Sequence, residues 1–153
     1  MRIFLVQHGE AKPKEEDPQR PLTPRGEEEV RLVAEFAKRV GVQVEQIRHS
    51  GKRRAEQTAA IFGECLRPRH GIVATSGLDP NDEIEALAEA LNAATEPCMI
   101  VGHLPYLARL AAKMITGNRD CSIIRFQMGG IVCLERDDGG VWSLAWMVTP
   151  DLL

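Results

Sequence analysis

Arg2-Ile3-Phe4-Leu5-Val6-Gln7-His8-Gly9-Glu10 sets the architecture expected of this chain. Ile3 to Val6 is a continuous apolar run, closed soon after by the turn-prone Gly9, and such a run reads as a buried strand. Residues 11–22 follow, charged and interrupted by Pro13, Pro18 and Pro21, and are expected to form a loop. Thr23-Pro24 then starts a helix, with threonine as N-cap and proline in the first turn. Glu27, Glu28 and Glu29 sit near the positive end of its dipole. Val30, Val33, Ala34 and Ala37 follow helical spacing, and Gly41 ends the segment.

The alternation continues downstream. Strands are expected at Val44–His49, Ile72–Thr75 and Pro97–Val101, and helices at Arg53–Leu66, Asp82–Ala94 and Pro105–Ile115, the last stopped by Gly117. The pattern then changes to strands at Ser122–Gln127, Ile131–Arg136 and Val141–Met147, with Asp138-Gly139-Gly140 as the turn between the last two. Alternating strands and helices followed by a strand meander predict a three-layer α/β/α fold. Its central sheet is expected to be mostly parallel, with an antiparallel edge.

The chain has 153 residues, a length expected to form a single domain, 1–153, with a core that needs no disulfide or metal. The net charge of -3 gives no bulk signature of a nucleic-acid or anionic-membrane partner. No apolar stretch approaches a membrane span, the opening run is too short for a signal peptide, and a cytoplasmic protein is expected. Cys65, Cys98, Cys121 and Cys133 form no zinc-binding pattern and read as small buried apolar residues. No metal or organic cofactor is implied.

Three segments carry chemistry-bearing residues: Gln7-His8-Gly9-Glu10, Ser50-Gly51-Lys52-Arg53-Arg54 and Gly102-His103-Leu104-Pro105. Each follows the carboxyl end of an expected strand, where open α/β sheets bind ligands. Phosphoryl transfer needs a nucleophile and fixed positive charge around the phosphoryl oxygens. An imidazole can be that nucleophile, and the planar fork of arginine suits the oxygens. Gly9 lets the backbone approach a phosphate, and the helix opening at Pro105 turns its amino end to the same region. A lone histidine at a strand end is more often structural than catalytic. Two of them with a basic segment, all at strand ends, make function and structure comparable readings. His49 and His70 read as bystanders, and Ser50 lacks the Gly-x-Ser-x-Gly setting of a serine hydrolase.

These segments resemble the histidine phosphatase superfamily of phosphoglycerate mutases and acid phosphatases, and within it the small bacterial phosphohistidine phosphatases. The resemblance runs in order through the strand before His8-Gly9-Glu10-Ala11, Arg20-Pro21-Leu22-Thr23 before Gly26, Arg54-Ala55-Glu56-Gln57-Thr58, and Gly102-His103-Leu104-Pro105. It implies a phosphoglycerate mutase-like fold and a metal-independent phosphatase. His8 would be the nucleophile, Arg54 would hold the phosphoryl oxygens, and His103 would donate a hydrogen bond to one of them. Gln7, Gly9 and Arg20 would line the substrate site.

The sequence departs from the family at Gln7, where arginine is usual. A hydrogen bond to a charged group is worth about 1.5–3 kcal/mol, so the change corresponds to roughly ten- to a hundredfold in rate. Arg54, a protonated His103 and Arg20 are expected to supply the remaining positive charge. Larger relatives carry a glutamate as general acid, and the matching loop here offers Asp79 or Glu83. A phosphohistidine substrate needs less help, because its imidazole leaving group is readily protonated near neutral pH. The short connections imply an open pocket. The expected substrate is therefore a phosphorylated partner protein, such as the histidine-containing domain of a phosphorelay. A small-molecule phosphomonoester, or a weakly active phosphoprotein binder built around Gln7, are the alternatives.

Overall fold

The computed structural model describes residues 1–153. In chain order the elements are β1 (Arg2–Gln7), α1 (Pro24–Arg39), β2 (Gln46–His49), α2 (Arg53–Leu66), β3 (Ile72–Ala74), α3 (Glu85–Ala93), β4 (Cys98–Gly102), α4 (Tyr106–Thr116), β5 (Ile131–Arg136) and β6 (Trp142–Val148), with a short 3-10 turn at Pro150–Leu152. The strands form one sheet in the order β3-β2-β4-β1-β5-β6. The first four are parallel. β5 and β6 run antiparallel along one side, as the pattern after Gly117 led us to expect.

Both faces of β1 are buried, which explains its unbroken apolar run. Ile3 and Leu5 join Ile100, Val132 and Leu134 beneath α3 and α4. Phe4 and Val6 join Met99, Val101 and Cys133 beneath α1 and α2. Successive strand side chains point to opposite faces, so a strand covered on both sides must be apolar at every position.

Helix ends agree with local chemistry. Thr23 caps α1, its hydroxyl accepting the Gly26 N–H at 3.0 Å. Gly117 ends α4 at φ 78°, a left-handed conformation that suits glycine. The carbonyls at the end of α3 are met by Arg136, whose guanidinium donates to Leu91 at 3.4 Å, to Ala94 at 2.8 Å and also to Asn92.

Three expectations are corrected. Residues 122–127 form no strand. Their alternation is real, since Ile124 and Phe126 are buried while Ile123 and Arg125 are exposed. It reflects side chains closing the core on the α3–α4 side, without a neighbouring strand to pair with. The third helix begins at Glu85 rather than Asp82, because the Asp82 carboxylate accepts the Asp79 N–H at 2.8 Å in the preceding turn. The cysteines divide: Cys98 and Cys133 are buried, Cys65 is half-buried and Cys121 is exposed in the loop after α4. No helix is long and apolar enough to cross a membrane.

Candidate active site

The carboxyl ends of β1, β2 and β4 bring the three segments together. His8 follows β1 and its backbone N–H donates to the Gly102 carbonyl at the end of β4, at 3.0 Å. His103 follows β4, and the two imidazole centroids stand 5.1 Å apart. Arg54, in the first turn of α2, points its Nε at His8 Nε2 from 3.3 Å. His8 and His103 are 9% and 2% exposed, so both rings are removed from water except through the site itself.

His8 has a defined tautomer. Its Nδ1 lies 2.7 Å from the Gly9 carbonyl, an acceptor only, so Nδ1 carries the proton and Nε2 keeps its lone pair. Burial, then the charges of Arg54 and Arg20, hold its pKa down at about 4 against the favourable bond to Gly9. At neutral pH this ring is an uncharged imidazole whose unprotonated Nε2 accepts a long hydrogen bond from Arg54 Nε, the protonation state required of a nucleophile.

His103 differs from expectation. Burial first, then His8, Arg54, Lys52 and Arg20, lower its pKa to about 3, so in the unliganded site it is neutral rather than protonated. Fixed positive charge comes from Arg54, Lys52 and Arg20. Arg20 reaches the region from the loop before α1, where it adopts φ 50° and its Nε donates to the Lys12 carbonyl at 3.2 Å. Its charge is felt by His8, His103 and Arg54.

The backbone of this loop is closely seated. A Cβ on Gly9 would meet Val30 Cγ2 at 2.7 Å and the Gly26 carbonyl at 3.1 Å, so α1 packs directly against the segment that holds His8. Gln7 pairs with Gly102 in the sheet, and its side-chain Oε1 is buried without a hydrogen-bond partner. The two acid candidates separate. Asp79 lies 3.8 Å from Lys52 and acts electrostatically on Arg54, which puts it at the rim of the site. Glu83 is exposed and paired with Arg119 at 2.5 Å.

Side chains that had no assigned role also shape the site. Thr58 is fully buried, accepts the Gly9 N–H at 3.0 Å and donates to the Arg54 carbonyl at 2.8 Å. Gln57 accepts the Leu22 N–H at 2.8 Å. The one-turn spacing of Arg54 and Thr58 was the available signal, since residues four apart share a helix face. Ser50 Oγ lies 2.6 Å from His103 Nε2. His49, a bystander to the chemistry, is buried and accepts the Gly51 N–H at 3.1 Å, while His70 is exposed near Glu96.

Five clefts of about 260–480 Å³ lie elsewhere on the surface, and none of them is lined by His8, Arg54 or His103. No cluster of three or more histidine, cysteine, aspartate or glutamate side chains is arranged to hold a metal ion.

Two imidazoles and a guanidinium gathered at the carboxyl edge of a parallel sheet, beneath α/β/α layers, form the kind of site that receives a phosphoryl group. Residues 3–79 match the model of the histidine phosphatase superfamily (branch 1). Over 155 aligned residues, covering 98% of this chain and 94% of the relative, the chain is 28% identical to phosphohistidine phosphatase SixA of Escherichia coli strain K12. It superposes on the protein histidine phosphatase SixA complexed with tungstate with a TM-score of 0.87, at 27% identity and 99% coverage of both chains. The fold alone extends to phosphoglycerate mutase of Plasmodium falciparum, with a TM-score of 0.72 at 19% identity, covering 95% of this chain and 88% of that one. The chain belongs to the histidine phosphatase superfamily, and within it to the phosphohistidine phosphatase branch.

Proposed function

We propose that residues 1–153 act as one histidine phosphatase domain that removes the phosphoryl group from a phosphorylated histidine of a partner protein. The observation that carries this is His8: a buried, neutral ring with Nδ1–H held by Gly9 and Nε2 bare beside Arg54. His8 Nε2 attacks phosphorus and the bond to the substrate ring breaks; that ring, having taken a proton from solvent on its other nitrogen, leaves as neutral imidazole. Water then attacks the phosphoryl group on His8, releasing inorganic phosphate and restoring the free ring. Arg54 holds the equatorial oxygens, with Arg20 adding charge at longer range, and His103 donates to one oxygen. Gly9 lets the loop seat directly against α1, rather than against the phosphate as the sequence led one to expect, and Gln7 lines the site with an uncharged amide.

The short connections around the site favour a phosphohistidine presented on a protein surface. The SixA relative carries that activity in its name, which agrees with this reading. Asp79 is the better-placed acid, because Glu83 is engaged by Arg119.

The test incubates a phosphohistidine-bearing phosphorelay domain and p-nitrophenyl phosphate side by side with the protein, without added metal. Release from the first and little from the second is expected. Acid-quenched enzyme should carry phosphate on His8, and His8→Ala should abolish both turnover and labelling. Label on His103, or no histidine label during turnover, refutes the mechanism.

A further inference from the structure

The Ser50 hydroxyl is placed against the second histidine rather than the first. Its Oγ is 2.6 Å from His103 Nε2 and accepts a long hydrogen bond from the Lys52 backbone N–H at 3.4 Å. These are the only hydrogen bonds of this side chain within the protein, and the one protein atom placed to receive its hydroxyl proton is His103 Nε2. A ring nitrogen that accepts bears no proton in the neutral ring, so the proton must sit on Nδ1. That atom is buried and has no partner within the protein. A buried donor without a partner is rare, and the ligand is the natural source of one.

We propose that Ser50 is a positioning residue that fixes the tautomer of His103, so that Nδ1 carries the proton and donates it as a hydrogen bond to a phosphoryl oxygen. The assignment rests on the phosphatase reading above. It also explains how an uncharged ring can serve as a donor: burial beside Arg54 and His8 keeps His103 neutral, so its usefulness depends on which nitrogen holds the single proton. The two histidines then have the same tautomer and opposite duties. His8 turns its bare nitrogen to the phosphorus, and His103 turns its N–H to an oxygen. Gly9 sets the first tautomer and Ser50 the second.

The test is nitrogen-15 NMR of histidine-labelled protein at pH 7.5, unliganded and with vanadate. His103 should show a protonated Nδ1 and a bare Nε2. Ser50→Ala should move His103 toward the Nε2–H form, and Ser50→Thr, which keeps the hydroxyl, should retain the native tautomer. With phosphohistidine protein, Ser50→Ala should lower kcat by roughly tenfold or more, with a smaller change in KM, and Ser50→Thr should recover most of it. An Nε2–H ring in the native protein, or an unchanged tautomer in folded Ser50→Ala, overturns the proposal. The tautomer is read without turnover. An Nδ1–H ring in a protein that cleaves nothing therefore refutes the functional reading alone, and an Nε2–H ring in an active enzyme refutes the role of Ser50 alone.

Discussion

Gln7 stands where the resemblance to the family leads one to expect arginine, and its side-chain Oε1 is buried without a partner. An arginine there would add a charge-assisted donor where the amide now gives none. Gln7→Arg should therefore tighten vanadate binding by roughly ten- to a hundredfold, from the 1.5–3 kcal/mol of such a bond. Turnover rises only to the extent that the new contact strengthens in the transition state. Vanadate titration of the two proteins checks this, and weaker binding would show a pocket rebuilt around glutamine. His8, Arg54 and His103 were legible in the sequence because strand ends converge in this type of sheet. Ser50 was not, since a serine becomes informative only once its hydroxyl is seen against a ring nitrogen. The charge state of His103 was also beyond the sequence, because it depends on burial and on cations from two distant segments.

Among the elements, α2 shows how a helix can serve a site with several residues at once. Arg54 faces the site, Gln57 holds the loop before α1 and Thr58 holds the Gly9 peptide. Thr58→Val keeps the shape and removes the hydroxyl, leaving the buried Gly9 N–H unpaired. A stability loss of about 1–3 kcal/mol is expected in urea denaturation. Turnover should fall as well, because the same residue's carbonyl orients His8. Thr58→Ser should restore most of both. Helix α1 was legible from Thr23-Pro24 onward, because its cap is a local signal. Residues 122–127 were not, because alternation reports which side chains are buried and says nothing about whether a partner strand exists. The start of α3 was displaced for a similar reason: Asp82 suits a helix terminus and a turn equally well, and the turn claims it.

For the molecule as a whole, the two buried imidazoles couple the site to folding stability. Both pKa values are lowered by the fold, from 6.5 to about 4 for His8 and to about 3 for His103. Above pH 6.5 neither the folded nor the unfolded chain binds a proton at these rings. Below it the unfolded chain does and the folded one does not, so stability falls with acidification until each folded pKa is reached. Each ring contributes a slope approaching about 1.4 kcal/mol per pH unit in that window. Urea midpoints measured from pH 7 to pH 5 should decline accordingly, and His8→Asn should decline less steeply. A midpoint independent of pH in this range would show that the rings are not held neutral by burial.

The sheet order has a further consequence for how the chain is assembled. β1 is made first, yet its neighbours are β4 and β5, whose register pairs Leu5 with Ile100 and with Val132. The strand that carries His8 can be zipped into place only after most of the chain exists, and closing such distant pairings is entropically slow. Until then the apolar stretch Ile3–Val6 is a sticky, unpaired ribbon, the type of segment that seeds aggregation in nascent chains. Catalytic competence is therefore a late product of folding, available only when the C-terminal half has closed around the N-terminal strand.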